Sequence, residues 1–241
     1  MDIHKPKPWH GWREFLKEYL IIVVGVLTAL GFEAVVQNLH DRRLSAEARA
    51  AVRAEINLDL ASLAQRDEWQ PCVFARFAEL EAALAAADAG RAFKPMAYIG
   101  RPSGVALYTQ RWDAATSGGR TSLLSSDEQR DFARVYAQLL IAEQRQREET
   151  DAWGRLRALE GVTHPSSETL ARAREALSQA RQADYNLRRA IFGSRSYAAR
   201  IGVKGDANIL DFNHRTAPVC VPTSTRREDV AALAKDAIGA P

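Results

Sequence analysis

The chain has 241 residues and a mass of 26.7 kDa, with 46% hydrophobic and 26% charged residues. That balance excludes wholesale disorder and leaves room for one sizeable domain beside an anchoring segment. The formal charge of +3 is carried by Arg and Glu interspersed along helical stretches rather than by a basic stripe, so nucleic acid is not an expected partner.

Residues 1–18 form a leader that carries Lys5, Lys7, Arg13 and Lys17 together with Trp9 and Trp12. Residues 19–39 follow as a membrane-spanning helix. Tyr19 to Phe32 holds no charge, and beyond Glu33 the apolar run resumes with Ala34, Val35 and Val36. A spanning helix needs about twenty mostly apolar residues. Lys17 and Glu18 can reach the interface from one end, where Trp9, Trp12 and Tyr19 suit the headgroup level. Two other readings fit part of this pattern. A cleavable signal peptide would end at small residues such as Ala29-Leu30-Gly31, but Glu14 and Glu18 interrupt the leader and the helical pattern continues through Leu39. A buried core helix would be apolar on one side, whereas residues 20–30 are apolar all round. Basic residues balance across the segment, with Arg42, Arg43, Arg49 and Arg53 on the far side. Orientation therefore rests on the short leader staying cytoplasmic while the larger domain crosses.

Residues 40–225 read as a helical bundle. The first helix continues past the membrane, with Ala48, Val52, Ile56, Leu60 and Leu63 recurring at spacings of three and four. A second helix is predicted from about Pro71 to Ala89, with Phe74, Phe77, Leu80 and Leu84 as its stripe; Pro71 suits a first helical position or a kink. Residues 91–124 are rich in Gly and Pro and form a long crossover, interrupted by one short helix around Trp112 and a possible strand at 96–99. Ser125 and Glu128 make a capping box for a third helix reaching about Glu160. A fourth runs from Pro165 to about Ile201. Residues 202–225 are irregular, and 226–241 form a C-terminal helix and tail. The predicted fold is all-α, an anchor helix continuing into an antiparallel bundle with one crossover loop.

Polar residues interrupt the third helix's stripe. Stepping from Leu139 meets Glu143, Gln146, Thr150 and Trp153, and the fourth helix offers Asp184 between Ala180 and Leu187. In a hairpin about 161–164, Glu143 and Gln146 would face Ala180 and Asp184 and could bind a polar ligand; the plainer reading is that arginines neutralise the carboxylates. Trp112 is either part of a binding loop or a plug in the core. Glu33 and Gly25 are the candidate contacts for a membrane partner, with Glu33 otherwise a boundary carboxylate. The five histidines are scattered, so no metal site is expected. No nucleophile frame or phosphate-binding glycine loop is present, and neither a cofactor nor an enzymatic activity is expected. Cys72 and Cys220 stand far apart without metal-ligand spacing, which leaves either two separate thiols or one long-range disulfide.

The opening KPWHGWREFLKEYLIIVVGVLTALGFEAVV resembles a group of uncharacterised proteobacterial inner-membrane proteins, and the likeness extends through CVFARFAEL, WDAATSGG, FARVYAQL and the late VCVP. It implies a single-pass protein of the bacterial inner membrane, with the periplasmic side for the domain resting on the short leader and on a disulfide, which needs an oxidising compartment. Because Cys72 and Cys220 fall in two of the resembling segments, it also implies their pairing. No activity follows from it. Three functions are therefore carried: a membrane-tethered scaffold or accessory protein for a partner or second copy, a ligand-sensing bundle signalling through its anchor, and an enzyme with a site under the 90–124 loop.

Overall fold

The computed structural model describes residues 11–206 and 217–230, and what it describes is helical. Helix α1 spans Trp12–Glu68, α2 Gln70–Asp88, α3 Gln110–Ser117, α4 Ser126–Leu156 and α5 Ser167–Arg200, with 3-10 turns at Arg120–Leu123, Arg157–Leu159 and Pro218–Cys220. The leader before residue 11 and the C-terminal segment after 230 lie outside the described residues, as does 207–216.

α1 is unbroken for 57 residues. Its first half is exposed on every side, including Ile21, Ile22, Leu27 and Phe32. Its most apolar 18-residue stretch has a mean hydropathy of 2.3, long and apolar enough to cross a membrane. Cover begins at Ser45 and Ala48, where the periodic stripe Val52, Ile56, Leu60 and Leu63 turns into the core.

Cross-contacts fix the direction of each helix. Arg155 reaches Gln179, Gln138 packs against Gly193, and Arg134 lies 5.8 Å over the Tyr197 ring, so α4 and α5 run in opposite directions. Between α1 and α4 the partners rise together: Arg49 with Glu128, Glu55 with Tyr136, Arg66 with Glu149. Those two helices are parallel. α2 meets α5 through Phe74 with Arg188, Glu81 with Arg181 and Asp88 with Arg174, again in opposite directions. α2 therefore continues the course of α1, where an antiparallel bundle would have it turn back. The reason is local. Only Trp69 separates the two helices, its backbone is itself helical (φ −83°, ψ −4°), and the Val73 amide bonds back to the Trp69 carbonyl at 3.1 Å. Pro71, lacking an N–H, fits the first turn of α2 and marks a joint without reversing the chain.

The result is a jointed rod, α1 with α2, lying along an α4–α5 hairpin. Two apolar clusters fill it. One gathers Val52, Ile56, Leu60, Phe132, Leu139, Leu187 and Ile191 nearer the apolar half of α1. The other gathers Phe77, Leu80, Trp153, Leu156, Ala176 and Ala180 at the far end, with Phe77 and Trp153 stacked at 5.1 Å. The capping box at Ser125 and Glu128 forms as the sequence predicts, and α4 ends in a 3-10 turn before Gly161, whose φ of +73° suits glycine. The sulfurs of Cys72 and Cys220 are bonded, tying the late 3-10 turn to α2 across 148 residues.

Candidate functional site

Residues 89–109 have no helix of their own and must return the chain along the whole rod to α3. Buried backbone N–H and C=O groups need partners, and a lone segment cannot supply them. Helix side chains do so here. Near the far end, the Arg76 guanidinium donates to the carbonyls of Ile99 and Val221, with Val219 at 3.2 Å, and pairs with Glu79 at 2.9 Å. Glu160 accepts from the Ile99 amide at 3.1 Å, and Gly161 N–H donates to Met96 O at 2.8 Å, so the stretch predicted as a strand forms one isolated bridge. Midway, Gln146 holds Val105 from both sides, its Oε1 accepting at 2.7 Å and its Nε2 donating at 3.3 Å. Higher still, Asp59 accepts from Tyr108 N–H at 2.9 Å. Glu55 accepts from Arg111 N–H at 2.9 Å and from the Tyr136 hydroxyl at 2.7 Å, satisfying amides at the start of α3. The segment is a strap sewn down by four helix side chains, Arg76, Gln146, Asp59 and Glu55, and by Glu160 beyond α4.

Glu55 and Asp59 stand one turn apart on α1, and both are buried. Asp59 is fully enclosed and its Oδ2 has no partner. Burial pushes its carboxyl up to about 7, opposed by the Tyr108 amide and reinforced by Glu55. Burial likewise raises the Tyr136 hydroxyl, so that it donates to Glu55 as a neutral phenol. Because the native Asp59 holds its proton more tightly than an unfolded one, with an ordinary value of about 4, the stability it contributes is full below about pH 4 and is lost as pH rises through about 7. Asp59→Asn is expected to flatten the fall in thermal midpoint between about pH 5 and pH 8 by the equivalent of about 1–3 kcal/mol, read by thermal unfolding at each pH. An unchanged slope would show that Asp59 does not titrate there.

A second polar group divides the two apolar clusters. Arg66, 1% exposed, donates to Glu149 at 2.7 Å and lies 3.4 Å from Asp184. Gln70 donates to Asp184 at 2.9 Å and Arg188 does so at 3.1 Å. The layer thus draws from α1, α2, α4 and α5 at the α1–α2 joint. Burial raises the Glu149 carboxyl although Arg66 opposes it. Arg66 Nε is unpartnered, and Trp153 Nε1 has no acceptor in hydrogen-bonding geometry, although Glu149 lies one turn before it.

The four residues expected to gather as a ligand site are divided among three places. Asp184 belongs to the ionic layer. Glu143 and Gln146 face away from it, toward Gly104 and Val105, where an open cleft of about 450 Å³ lies between strap and α4. Glu143 is paired with Arg147 there. The inward path on α4 runs Leu139, Ala142, Gln146, Glu149, Trp153, one position out of phase with the path through Glu143 and Thr150. Ala180 is covered beside Trp153 in the far cluster. Trp112 is half-buried, stacked on Tyr136 at 5.3 Å and 6.1 Å from Phe132. Glu33 and Gly25 are on the exposed apolar half of α1, and no atom would meet a Cβ on Gly25. Sequence reasoning passed over Arg66, Glu149, Glu55, Asp59 and Arg76. The available signal was that Asp59 and Arg76 interrupt apolar stripes, as Asp184 does. Among the described residues, no group of three or more His, Cys, Asp or Glu is arranged to hold a metal ion.

No family model, curated protein or solved structure matches the chain.

Proposed function

We propose that this chain is a single-pass bacterial inner-membrane protein whose periplasmic helical bundle is a scaffold or accessory unit for a partner protein. One observation carries the reading: α1 passes without a break from an apolar stretch exposed on all sides into the covered core of the domain. A helix with such a surface suits lipid, and its unbroken continuation joins the domain to the bilayer with no linker between them. The buried polar side chains that a ligand pocket would use are engaged with the strap or with each other, which favours a scaffold over a sensor. Glu33 and Gly25 supply the face for a membrane partner, since an acid among apolar residues is stabilised by a neighbouring donor or cation and a glycine admits a close helix.

The test uses the full-length protein in its membrane. It should resist carbonate extraction, and in intact cells an impermeant thiol reagent should label Cys72 and Cys220 only after reductant. A partner crosslinked through the membrane segment should be lost from Glu33→Leu or Gly25→Leu. Release by carbonate would end the membrane reading, and crosslinks indifferent to both changes would end the partner assignment.

A further inference from the structure

The end of the domain nearest the apolar half of α1 is rich in charge, and its acids are already engaged. Glu47 is held by Arg43, Asp127 by Arg130, Glu128 by Arg49 and Asp131 by Arg134, while Asp41 accepts from Gln37. The Arg49 fork holds the Glu128 carboxyl down to about 2, so that pair stays ionised. Exposed arginines at this end that meet no carboxylate among the described residues include Arg42, Arg53, Arg111, Arg120 and Arg200, the last lying over the Tyr197 ring. They come from α1, the start of α3, the 3-10 turn before α4 and the end of α5, four elements that meet at this end of the domain.

Their heights follow from the packing. Arg42 stands about 5 Å beyond residue 39 along the helix and Arg53 about 21 Å. Arg120 belongs to a turn packed against α1, just before the Ser125 cap whose Glu128 meets Arg49. Arg200 lies one turn nearer this end than Tyr197, which sits under Arg134, and Arg134 is at the level between Arg49 and Glu55. The Gly118-Gly119 corner precedes Arg120, with φ +68° at Gly119.

We infer that this end of the domain rests on the bilayer and binds anionic phospholipid headgroups through Arg42, Arg53, Arg120 and Arg200. The inference rests on the membrane anchoring proposed above, because it is the unbroken α1 that presses this face, with no intervening linker, against one leaflet. Charge complementarity names the occupant: guanidinium forks match phosphate oxygens bidentately, and basic residues close to an anionic surface are attracted within a Debye length. Headgroup contact would also fix the tilt of the rod, since Arg53 and Arg200 reach phosphate only if the domain leans toward them.

The test is hydrogen exchange on the full-length protein with its domain outside vesicles of phosphatidylcholine alone or mixed with phosphatidylglycerol. Amides of residues 117–124 should exchange about fivefold slower or more in the anionic vesicles, and salt should reduce the difference. The combined Arg53→Gln, Arg120→Gln and Arg200→Gln variant should abolish it, and the three Lys replacements should restore most of it. Equal exchange in both vesicles, or protection that survives the Gln variant, overturns headgroup binding while leaving the anchor intact. Flotation of the same samples separates the cases: a chain that does not float with either vesicle loses the anchor, and this inference with it.

Discussion

Replacing Arg66 with Met is expected to be among the most damaging single changes in the domain. The guanidinium is 1% exposed and sits between Glu149 and Asp184, neither of which reaches bulk water. Removing it leaves Glu149 buried without a cation, while Asp184 retains Gln70 and Arg188. Breaking a buried pair in this way costs about 3–5 kcal/mol, a large part of a typical total of about 5–15. The thermal midpoint of the domain should fall by roughly 6–20 °C. Denaturant unfolding of Arg66→Met, Glu149→Leu and the double variant measures the coupling directly. The double variant should be more stable than Arg66→Met alone, because the stranded carboxylate has gone. Strictly additive losses, or an Arg66→Met loss below about 1 kcal/mol, would mean that the layer is not a coupled unit.

Why an ionic layer sits at this level is suggested by what surrounds it. Apolar clusters pack above and below, and a helix can slide against an apolar neighbour by a turn with modest loss. A charge that must meet partners from four helices at one height cannot slide. Arg66 lies next to the Trp69–Pro71 joint, where α1 gives way to α2 and register would be easiest to lose. Such a layer is therefore well placed to set register, the best-attested use of buried polar groups.

The sequence made some of this legible and hid the rest for identifiable reasons. Signals contained within one turn were readable, as with the Ser125–Glu128 capping box and the glycine after α4. The all-round apolar surface of residues 20–30 was readable too, since no partner is needed to recognise it. Pro71 was ambiguous, because proline suits a helix start whether the chain reverses or carries straight on, and only the single-residue spacing at Trp69 decides. The inward face of α4 was misphased because Glu143 and Glu149 are both acids at helical spacing from Leu139. Which one is buried depends on Arg66, 83 residues away. The strap was harder still. Its route is set by Arg76, Gln146, Asp59 and Glu55, each a polar residue whose reason for burial is a backbone group in another segment.

The disulfide carries the second large effect. Cys72 and Cys220 close a loop of 148 residues, for which chain entropy alone gives about 4–5 kcal/mol. The bond does not hold its segment alone. Arg76, one turn after Cys72, binds the Val219 and Val221 carbonyls on either side of Cys220, and Thr223 O accepts from the amides of Ala97 and Tyr98. Val219 is 1% exposed, so releasing the segment also opens the far cluster. Cys220→Ser should thus destabilise the domain by about 2–5 kcal/mol, and reductant should lower the wild-type midpoint by a similar amount. Reductant should leave the Cys220→Ser variant unchanged. Arg76→Met in the wild type should cost less than in Cys220→Ser, because with the covalent bond in place the segment stays near its site when the guanidinium is removed. If both backgrounds lose the same amount, the clamp and the bond act independently. If reductant leaves the wild-type midpoint within about 1 °C, the crosslink does not restrain the unfolded chain as the entropy argument requires.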